Sequence, residues 1–264
     1  GSRTAMTRAV QAIQAYRTEH EELRHDLHAH PELGFEETRT ASIVAEKLSS
    51  WGVAVHSGIA QTGVVGGIQG RLTSSGRSVG LRADMDCLPM QETGAVPYRS
   101  RHDGRMHGCG HDGHTTMLLG AARYLAQTRA FNGTVYVIFQ PAEEGLDGGQ
   151  RMVEEGLFER FAADTIYAIH NWPPLPKGTI AVRPGPMMAA TDEVEITVRG
   201  VGGHAAMPHL TVDPVVASAQ VISALQAIAS RSVNPVEAVV VSICSMQTSQ
   251  LGAFNVLPDF VKLI

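Results

Sequence analysis

The pattern of apolar and polar positions divides the chain into helical and strand-like stretches. Apolar residues recur at helical spacing in four stretches, residues 9–27, 38–51, 115–127 and 149–161. Short apolar runs, which are typical of buried strands, occupy residues 79–83, 135–139 and 165–169. Helices and strands that alternate in this way predict an α/β fold, with a mixed, mostly parallel sheet flanked by helices.

The pattern changes near residue 184. Beyond it, strands are predicted at residues 193–199, 238–246 and 260–264, and a long helix is predicted at residues 213–232. This order predicts a smaller α+β domain, in which helices cover one face of an antiparallel sheet. We therefore expect an α/β domain over residues 1–184 and an α+β domain over residues 185–264.

The last predicted strand runs to the end of the sequence without a turn signal or a polar tail. A self-sufficient domain rarely ends inside an apolar strand. We therefore expect the second domain to be incomplete and the chain to be a fragment of a longer protein.

Composition narrows the class of protein. The chain of 264 residues is 44% apolar and 18% charged, with a net charge of -5 and no basic block. This balance argues against nucleic acid and anionic membranes as partners. No apolar run approaches the roughly 18 residues of a membrane span. Three cysteines without framework spacing favour a reducing compartment, and we expect the cytoplasm.

Candidate metal ligands crowd into residues 106–114, where Cys109 lies among His107, His111 and His114. Thiolate and imidazole ligands separated by glycine can bend around one ion. The alternative is a loop of solvated histidines before a helix, with Asp112 as its cap. A cysteine and three histidines packed this closely favour a metal site.

Further ligand-type side chains follow the predicted strands. Glu143 and Glu144 come after residues 135–139, and His170 comes after residues 165–169. Asp84 and Asp86 likewise follow residues 79–83. Open α/β sheets place their ligands at the carboxyl ends of their strands. We therefore expect these side chains to meet the Cys109 loop at one edge of the sheet.

This set of side chains predicts hydrolysis of an amide bond. A metal lowers the pKa of bound water from about 15.7 towards about 7. A carboxylate beside it, Glu143, could take the proton of that water and pass it to the leaving nitrogen. The nucleophile elbow of serine hydrolases, the phosphate loop and the zinc deaminase pattern do not occur in the sequence.

Seven motifs in one order resemble a known family, the co-catalytic metallopeptidases of the aminoacylase and carboxypeptidase G type. Within it, the chain resembles the amidohydrolase branch of hippurate hydrolases, N-acyl-amino-acid amidohydrolases and auxin-conjugate hydrolases. The motifs lie at residues 23–33, 81–89, 106–114, 141–144, 170–171, 203–209 and 255–258. The resemblance implies a zinc-peptidase-like catalytic domain followed by a lid, or dimerisation, domain.

The resemblance also implies a site for two divalent metal ions, which zinc, manganese, nickel or cobalt could supply. It implies four metal ligands, Cys109, His111, Glu144 and His170. Glu143 would be the general base and acid, Asp86 a supporting aspartate, and His114 a residue that supports the ligands from behind.

In the second domain, the resemblance implies that His204 stabilises the tetrahedral oxyanion and that Asn255 contacts the substrate carboxylate. The substrate would be a small N-acyl amino acid, and the protein a homodimer or homotetramer assembled through the lid. The alternatives are an aminopeptidase, a dipeptidase or an N-acetyl-diamino-acid deacetylase of the same family. A non-enzymatic protein that retains only metal or ligand binding also stays open.

The resembling family supplies a last metal-binding histidine from a stretch after the lid, and residues 1–264 contain no such stretch. The resemblance therefore implies that the first domain lacks its C-terminal part and that this chain by itself lacks a complete two-metal site. The corresponding expectation is that it is inactive or nearly so.

Overall fold

The computed structural model of the protein describes residues 2–264, and the side chains from Arg8 onward. Two compact units divide the chain, the first ending at Thr179 and the second running from Ile180 to Ile264. The predicted boundary between residues 184 and 185, and the roles assigned to the two domains, stay predictions.

The first unit is an α/β unit, as the sequence pattern predicts. Its helices are α1 (Ser2–Gln14), α2 (Arg17–Ala29), α3 (Thr38–Ser50), α4 (His111–Thr128), α5 (Gly148–Glu154) and α6 (Leu157–Arg160). Its strands are β1 (Ala54–Ile59), β2 (Gly63–Gln69), β3 (Ser78–Asp84), β4 (Thr134–Gln140) and β5 (Thr165–Ala168).

The five strands form one mixed sheet in the order β1-β2-β4-β3-β5. β4, β3 and β5 run parallel to one another, whereas β1 and β2 pair antiparallel and β2 pairs antiparallel with β4. The predicted mixed sheet with flanking helices is confirmed. The strands that deliver the candidate ligands are the three parallel ones, so their carboxyl ends lie at one edge.

Alternation along the central strands builds a core on each face of the sheet. Val137 and Phe139 of β4 pack with the apolar residues of α2, α3 and α4. Ile138, between them, packs on the other face with Met152 of α5 and Leu157 of α6. Successive side chains of a strand point to opposite faces, so one buried strand serves both cores.

The second unit is small and its sheets are antiparallel. Its strands are β6 (Ile196–Arg199), β7 (Gly203–His204), β8 (Met246–Thr248), β9 (Val256–Leu257) and β10 (Phe260–Leu263). β10 lies between β6 and β8, and β7 pairs with β9. Helix α7 (Pro214–Ala227) packs against β10 and β6. Its first turn is capped by the Asp213 side chain, which accepts a hydrogen bond of 2.8 Å from the Val215 amide.

Several element predictions differ from the structure. The helix predicted over residues 9–27 is interrupted between α1 and α2, and the one over residues 149–161 is interrupted at Gly156, where φ is 89°. The strand predicted over residues 238–246 is wrong, because β8 begins only at Met246. β1 and β2 were not predicted, since glycines at three positions of β2 weaken its apolar signal.

Among the helices of residues 2–264, none combines the length and the apolarity that crossing a membrane would require.

Candidate metal centre

The candidate ligands meet where three parallel strands end. Asp84 is the last residue of β3, Glu143 and Glu144 lie in the turn that follows β4, and His170 follows β5. Because β3 lies between β4 and β5, these side chains converge on one side of the sheet. The loop that carries Cys109 leads into the same edge and ends at α4.

Helix α4 begins at His111, so the first turn of a helix fixes this imidazole. The preceding residue, Gly110, has a φ of 91°, in the left-handed region that glycine tolerates best. A Cβ at Gly110 would collide with the side-chain amide of Asn171. Glycine therefore allows the Cys109 loop to turn into the helix while the loop after β5 packs directly on it.

Cys109, His111 and His170 form the first group of possible metal ligands. One ligand atom from each lies within 4.8 Å of the others. The Cys109 Sγ atom is 3.3 Å from the Nε2 atom of His170. The Nδ1 atom of His170 donates a hydrogen bond of 2.6 Å to the carbonyl of Asn171, which directs Nε2 towards the thiol.

His111 is held in the same manner. Its ring is fully buried, and its Nδ1 atom donates a hydrogen bond of 3.0 Å to Oδ1 of Asp86. The other nitrogen, Nε2, lies 3.6 Å from a carboxylate oxygen of Glu143 and 3.7 Å from one of Glu144. Each histidine thus uses Nδ1 for orientation and presents Nε2 to the cluster, an arrangement typical of metal-binding histidines.

Asp86 connects two of the candidate ligands. Its Oδ1 atom accepts from His111, and its Oδ2 atom accepts a hydrogen bond of 2.9 Å from the backbone amide of Glu144. The carboxylate is buried and lies behind the ligand atoms. This position suits the supporting role predicted for Asp86.

Glu143 is the most accessible carboxylate of the cluster, with 39% of its side chain exposed. Burial and the neighbouring charge of Glu144 raise the pKa of Glu143 above its ordinary value. A carboxylate whose pKa is raised towards neutrality is better suited to accept and return a proton.

Burial raises the pKa of the Cys109 thiol to about 12, and the carboxylates of Glu144 and Glu143 add to the effect. A thiolate is the form that binds a metal, so metal binding at Cys109 is coupled to loss of its proton.

The residues present fit a divalent cation. The buried Nε2 atom of His111 and the Oε1 atom of Glu144 have no hydrogen-bond partner among residues 2–264. Buried polar atoms are nearly always bonded, and both of these atoms face the same cluster. Thiolate, imidazole and carboxylate together form a donor set that suits zinc and neighbouring transition metals.

His114 and Asp84 form a further group of possible ligands with His111. His114 is nevertheless engaged at both nitrogens: Nδ1 donates to Asp84 at 2.6 Å, and Nε2 accepts from the Asn171 amide at 2.9 Å. The structure thus places His114 behind the cluster, between β3 and the loop that carries His170.

The two residues predicted to contact substrate lie close together in the second unit. His204 ends β7, and the amide of the next residue, Ala205, donates a hydrogen bond of 2.9 Å to the carbonyl of Asn255. The Nδ1 atom of His204 accepts from the amide of Ala206 at 3.1 Å. Both predicted residues are exposed.

Asn171 has no predicted role, although its side-chain amide donates to the carbonyl of Cys109. Glu37, a fully buried carboxylate beside the turn that follows β4, was not predicted either. Asn171 follows a candidate ligand directly, and that position was a usable signal. Glu37 resembles an ordinary acidic residue at the start of a helix, so only tertiary contacts identify it.

Comparisons with known proteins identify the family of the chain. The sequence profile of "Peptidase family M20/M25/M40" matches residues 80–263. Hippurate hydrolase of Campylobacter jejuni is 46% identical over 245 residues, which are 93% of this chain and 63% of that protein. N-acetylcysteine deacetylase of Bacillus subtilis is 42% identical over 255 residues, which are 96% of this chain and 65% of that protein. The chain thus spans less than two thirds of these relatives.

A solved structure of an M20 family peptidase is also similar to this chain. A dinuclear metal-binding peptidase of the M20 family from Bacillus subtilis superposes with a TM-score of 0.68 at 36% identity, covering 95% of this chain and 63% of that one. The profile match covers more than half of the sequence and contains the cluster around Cys109 and His111. The chain therefore belongs to peptidase family M20/M25/M40.

Proposed function

We propose that the protein is a metal-dependent hydrolase that cleaves the amide bond of N-acyl amino acids of the hippurate or N-acetyl type. The observation that carries the proposal is the position of Glu143. Its half-exposed carboxylate lies 3.6 Å from the buried Nε2 atom of His111, beside the candidate ligands. The relatives named hippurate hydrolase and N-acetylcysteine deacetylase support this class of substrate.

Cys109, His111, Glu144 and His170 would hold the metal. When bound, a divalent cation supplies Lewis acidity, which makes water a stronger nucleophile near neutral pH. Two groups of possible ligands share His111. One consists of Cys109, His111 and His170, and the other of His111 and the two glutamates. This overlap supports a proposal of two ions, as named for the related M20 peptidase. Zinc, manganese, nickel and cobalt all suit these donors.

Glu143 would move the proton. As a carboxylate it removes a proton from the attacking water, and as a carboxylic acid it returns that proton to the leaving nitrogen. Its exposure gives water access, while the raised pKa assists the second step. Asp86 holds His111 and Glu144 in position through its two hydrogen bonds.

His204 and Asn255 of the second unit would bind the oxyanion and the substrate carboxylate. Their adjacency through the Ala205 amide supports a common task. The same unit carries exposed apolar side chains, including Leu251 at 90% and Phe254 at 98% exposure. Exposed apolar side chains of this kind support self-association through this unit, as a dimer or tetramer.

The proposal is tested by elemental analysis and a substrate panel on the longest form of the protein that contains this sequence. The panel holds hippurate, N-acetyl amino acids, dipeptides and N-acetyl-diamino acids. We expect bound divalent metal and hydrolysis of the N-acyl amino acids, abolished by a chelator and restored by the metal. Preference for peptides with a free amino group would favour the aminopeptidase or dipeptidase alternative. Metal binding without turnover of any amide would contradict the proposed function.

A further inference from the structure

Glu37 is a fully buried carboxylate that the proposed chemistry does not use. It directly precedes helix α3, where an acidic residue would ordinarily cap its own helix. The side chain makes no such cap. Glu32 bonds that end of the helix instead, accepting from the Arg39 amide at 2.8 Å and the Thr40 amide at 2.7 Å. The burial of Glu37 therefore has another structural reason.

The Glu37 carboxylate bonds to a residue that lies 105 positions away in the sequence. Its Oε1 atom accepts a hydrogen bond of 2.7 Å from the backbone amide of Ala142, and Oε2 accepts one of 2.6 Å from the Thr62 hydroxyl. Burying a carboxylate costs free energy unless it is bonded, and burial also raises the pKa of Glu37. Ala142 directly precedes Glu143, so the bond acts on the turn that carries the proposed base.

Ala142 needs such support, because its φ is 51°. A left-handed conformation at a residue other than glycine is strained and persists only where surrounding contacts enforce it. Gly34 adds a steric contact, since a Cβ there would lie 3.0 Å from Cα of Ala142. The segment from Gly34 to Glu37 thus forms the surface on which the turn rests.

A second carboxylate holds the other side of Glu143. Asp86 accepts from the amide of Glu144 at 2.9 Å, as Glu37 does from the amide of Ala142. Glu143 therefore lies between two backbone amides, each fixed by a buried carboxylate.

Resting on the proposed function, we infer that Glu37 is a positioning residue, which fixes the backbone of the turn at residues 141–144 and thereby aims the Glu143 carboxylate at the cluster. Glu37 touches neither substrate nor metal. Its effect on the reaction passes through the hydrogen bond to Ala142 and the left-handed turn that this bond stabilises.

The test compares Glu37→Met, which removes the acceptor, with Glu37→Gln, which keeps one for the Ala142 amide. Glu36→Met is the matched control, because Glu36 is the adjacent exposed glutamate and pairs with Arg105 at 3.0 Å. The readouts, all on the longest form of the protein that contains this sequence, are hydrogen–deuterium exchange of the 141–144 turn, bound metal by elemental analysis, and the kinetic constants for hippurate.

For Glu37→Met we expect exchange in the turn to rise at least about tenfold and kcat to fall about 10–100-fold, since a misplacement of about 1 Å can cost that much. KM should change less than about threefold, and metal content should be retained. Glu37→Gln and Glu36→Met should match the parent protein within about threefold in every readout. If Glu37→Met does not fold, Glu37→Asp replaces it, because the shortened carboxylate cannot reach Ala142.

Unchanged exchange in the turn, or a Glu37→Gln variant as impaired as Glu37→Met, would overturn the inference. The exchange experiment does not require turnover. If the parent protein hydrolyses no substrate, the proposed function fails while exchange in the turn still decides the positioning role of Glu37.

Discussion

His114 and Asp84 form a buried hydrogen bond of 2.6 Å, from Nδ1 of the imidazole to Oδ1 of the carboxylate. Burial alone would raise the pKa of Asp84, but the bond from His114 and the charge of Arg82, 2.7 Å away, hold the pKa below its ordinary value. The bond also leaves Nε2 of His114 to accept from the Asn171 amide. The end of β3 is thereby connected to the loop that carries His170.

Replacing His114 by alanine should weaken metal binding. The loop after β5 would lose the hydrogen bond from the Asn171 amide to His114, and His170 would no longer be held towards Cys109. Loss of a group that supports metal ligands typically costs about 10–100-fold in metal affinity. Competition with a chromophoric zinc chelator measures the change. Met117→Ala, on the exposed side of the same helix, is the control, and equal affinities in the two variants would refute the role of His114.

The Glu143→Gln variant should separate proton transfer from metal binding. The amide keeps the size of the side chain but cannot accept the water proton, so kcat for N-acyl amino acids should fall about 10²–10⁴-fold. Metal content should stay at the parent value, because Glu143 is not among the four proposed ligands. Loss of metal together with a retained rate per bound ion would show that the roles are assigned wrongly.

The core of the first unit should depend strongly on Phe139. Its side chain is fully buried at the centre of the sheet, so Phe139→Ala should lower the free energy of unfolding by about 3–5 kcal/mol. Phe158→Ala is the matched control, because Phe158 lies in α6 and is 39% exposed. Urea denaturation of the metal-free protein measures both. A similar small loss in the two variants would contradict the assigned core.

His28 should make stability depend on pH. The hydrogen bond to Asp112, 2.8 Å long, raises the pKa of His28 above its ordinary value of 6.5, in spite of burial. The folded protein therefore holds this proton more tightly than the unfolded chain does. The stabilisation is fully present below about pH 6.5 and is lost as the pH rises through the raised pKa.

The test for His28 is urea denaturation of the metal-free protein at several pH values. The stability difference between the parent protein and His28→Gln should be largest at acidic pH and shrink as the pH rises above 6.5. His102→Gln, at an exposed position, is the control variant. A difference between parent and His28→Gln that grows with pH would have the wrong sign and refute the assignment.

The elements of the first unit show how far the sequence pattern reaches. β4 was predicted almost to the residue, because its uninterrupted apolar run is buried on both faces. β2 was missed, because its glycines carry no side chain from which periodicity can be read. The false strand at residues 238–246 had the apolar character of a strand, but apolarity alone does not provide a neighbour to pair with.

The sequence by itself determined which ligand-type side chains the candidate site contains. Ligand-type side chains after three strands, and a cysteine and histidines before a helix, predicted which residues would meet at one sheet edge. Only the tertiary structure decided how they are held: the hydrogen bonds that turn Nε2 of His111 and His170 towards the cluster, and the buried carboxylate of Glu37 under the Ala142 amide. Patterns of residue spacing report only on neighbours in the sequence. Glu37 and Ala142 lie 105 positions apart and become neighbours only when helix α3 packs on the sheet.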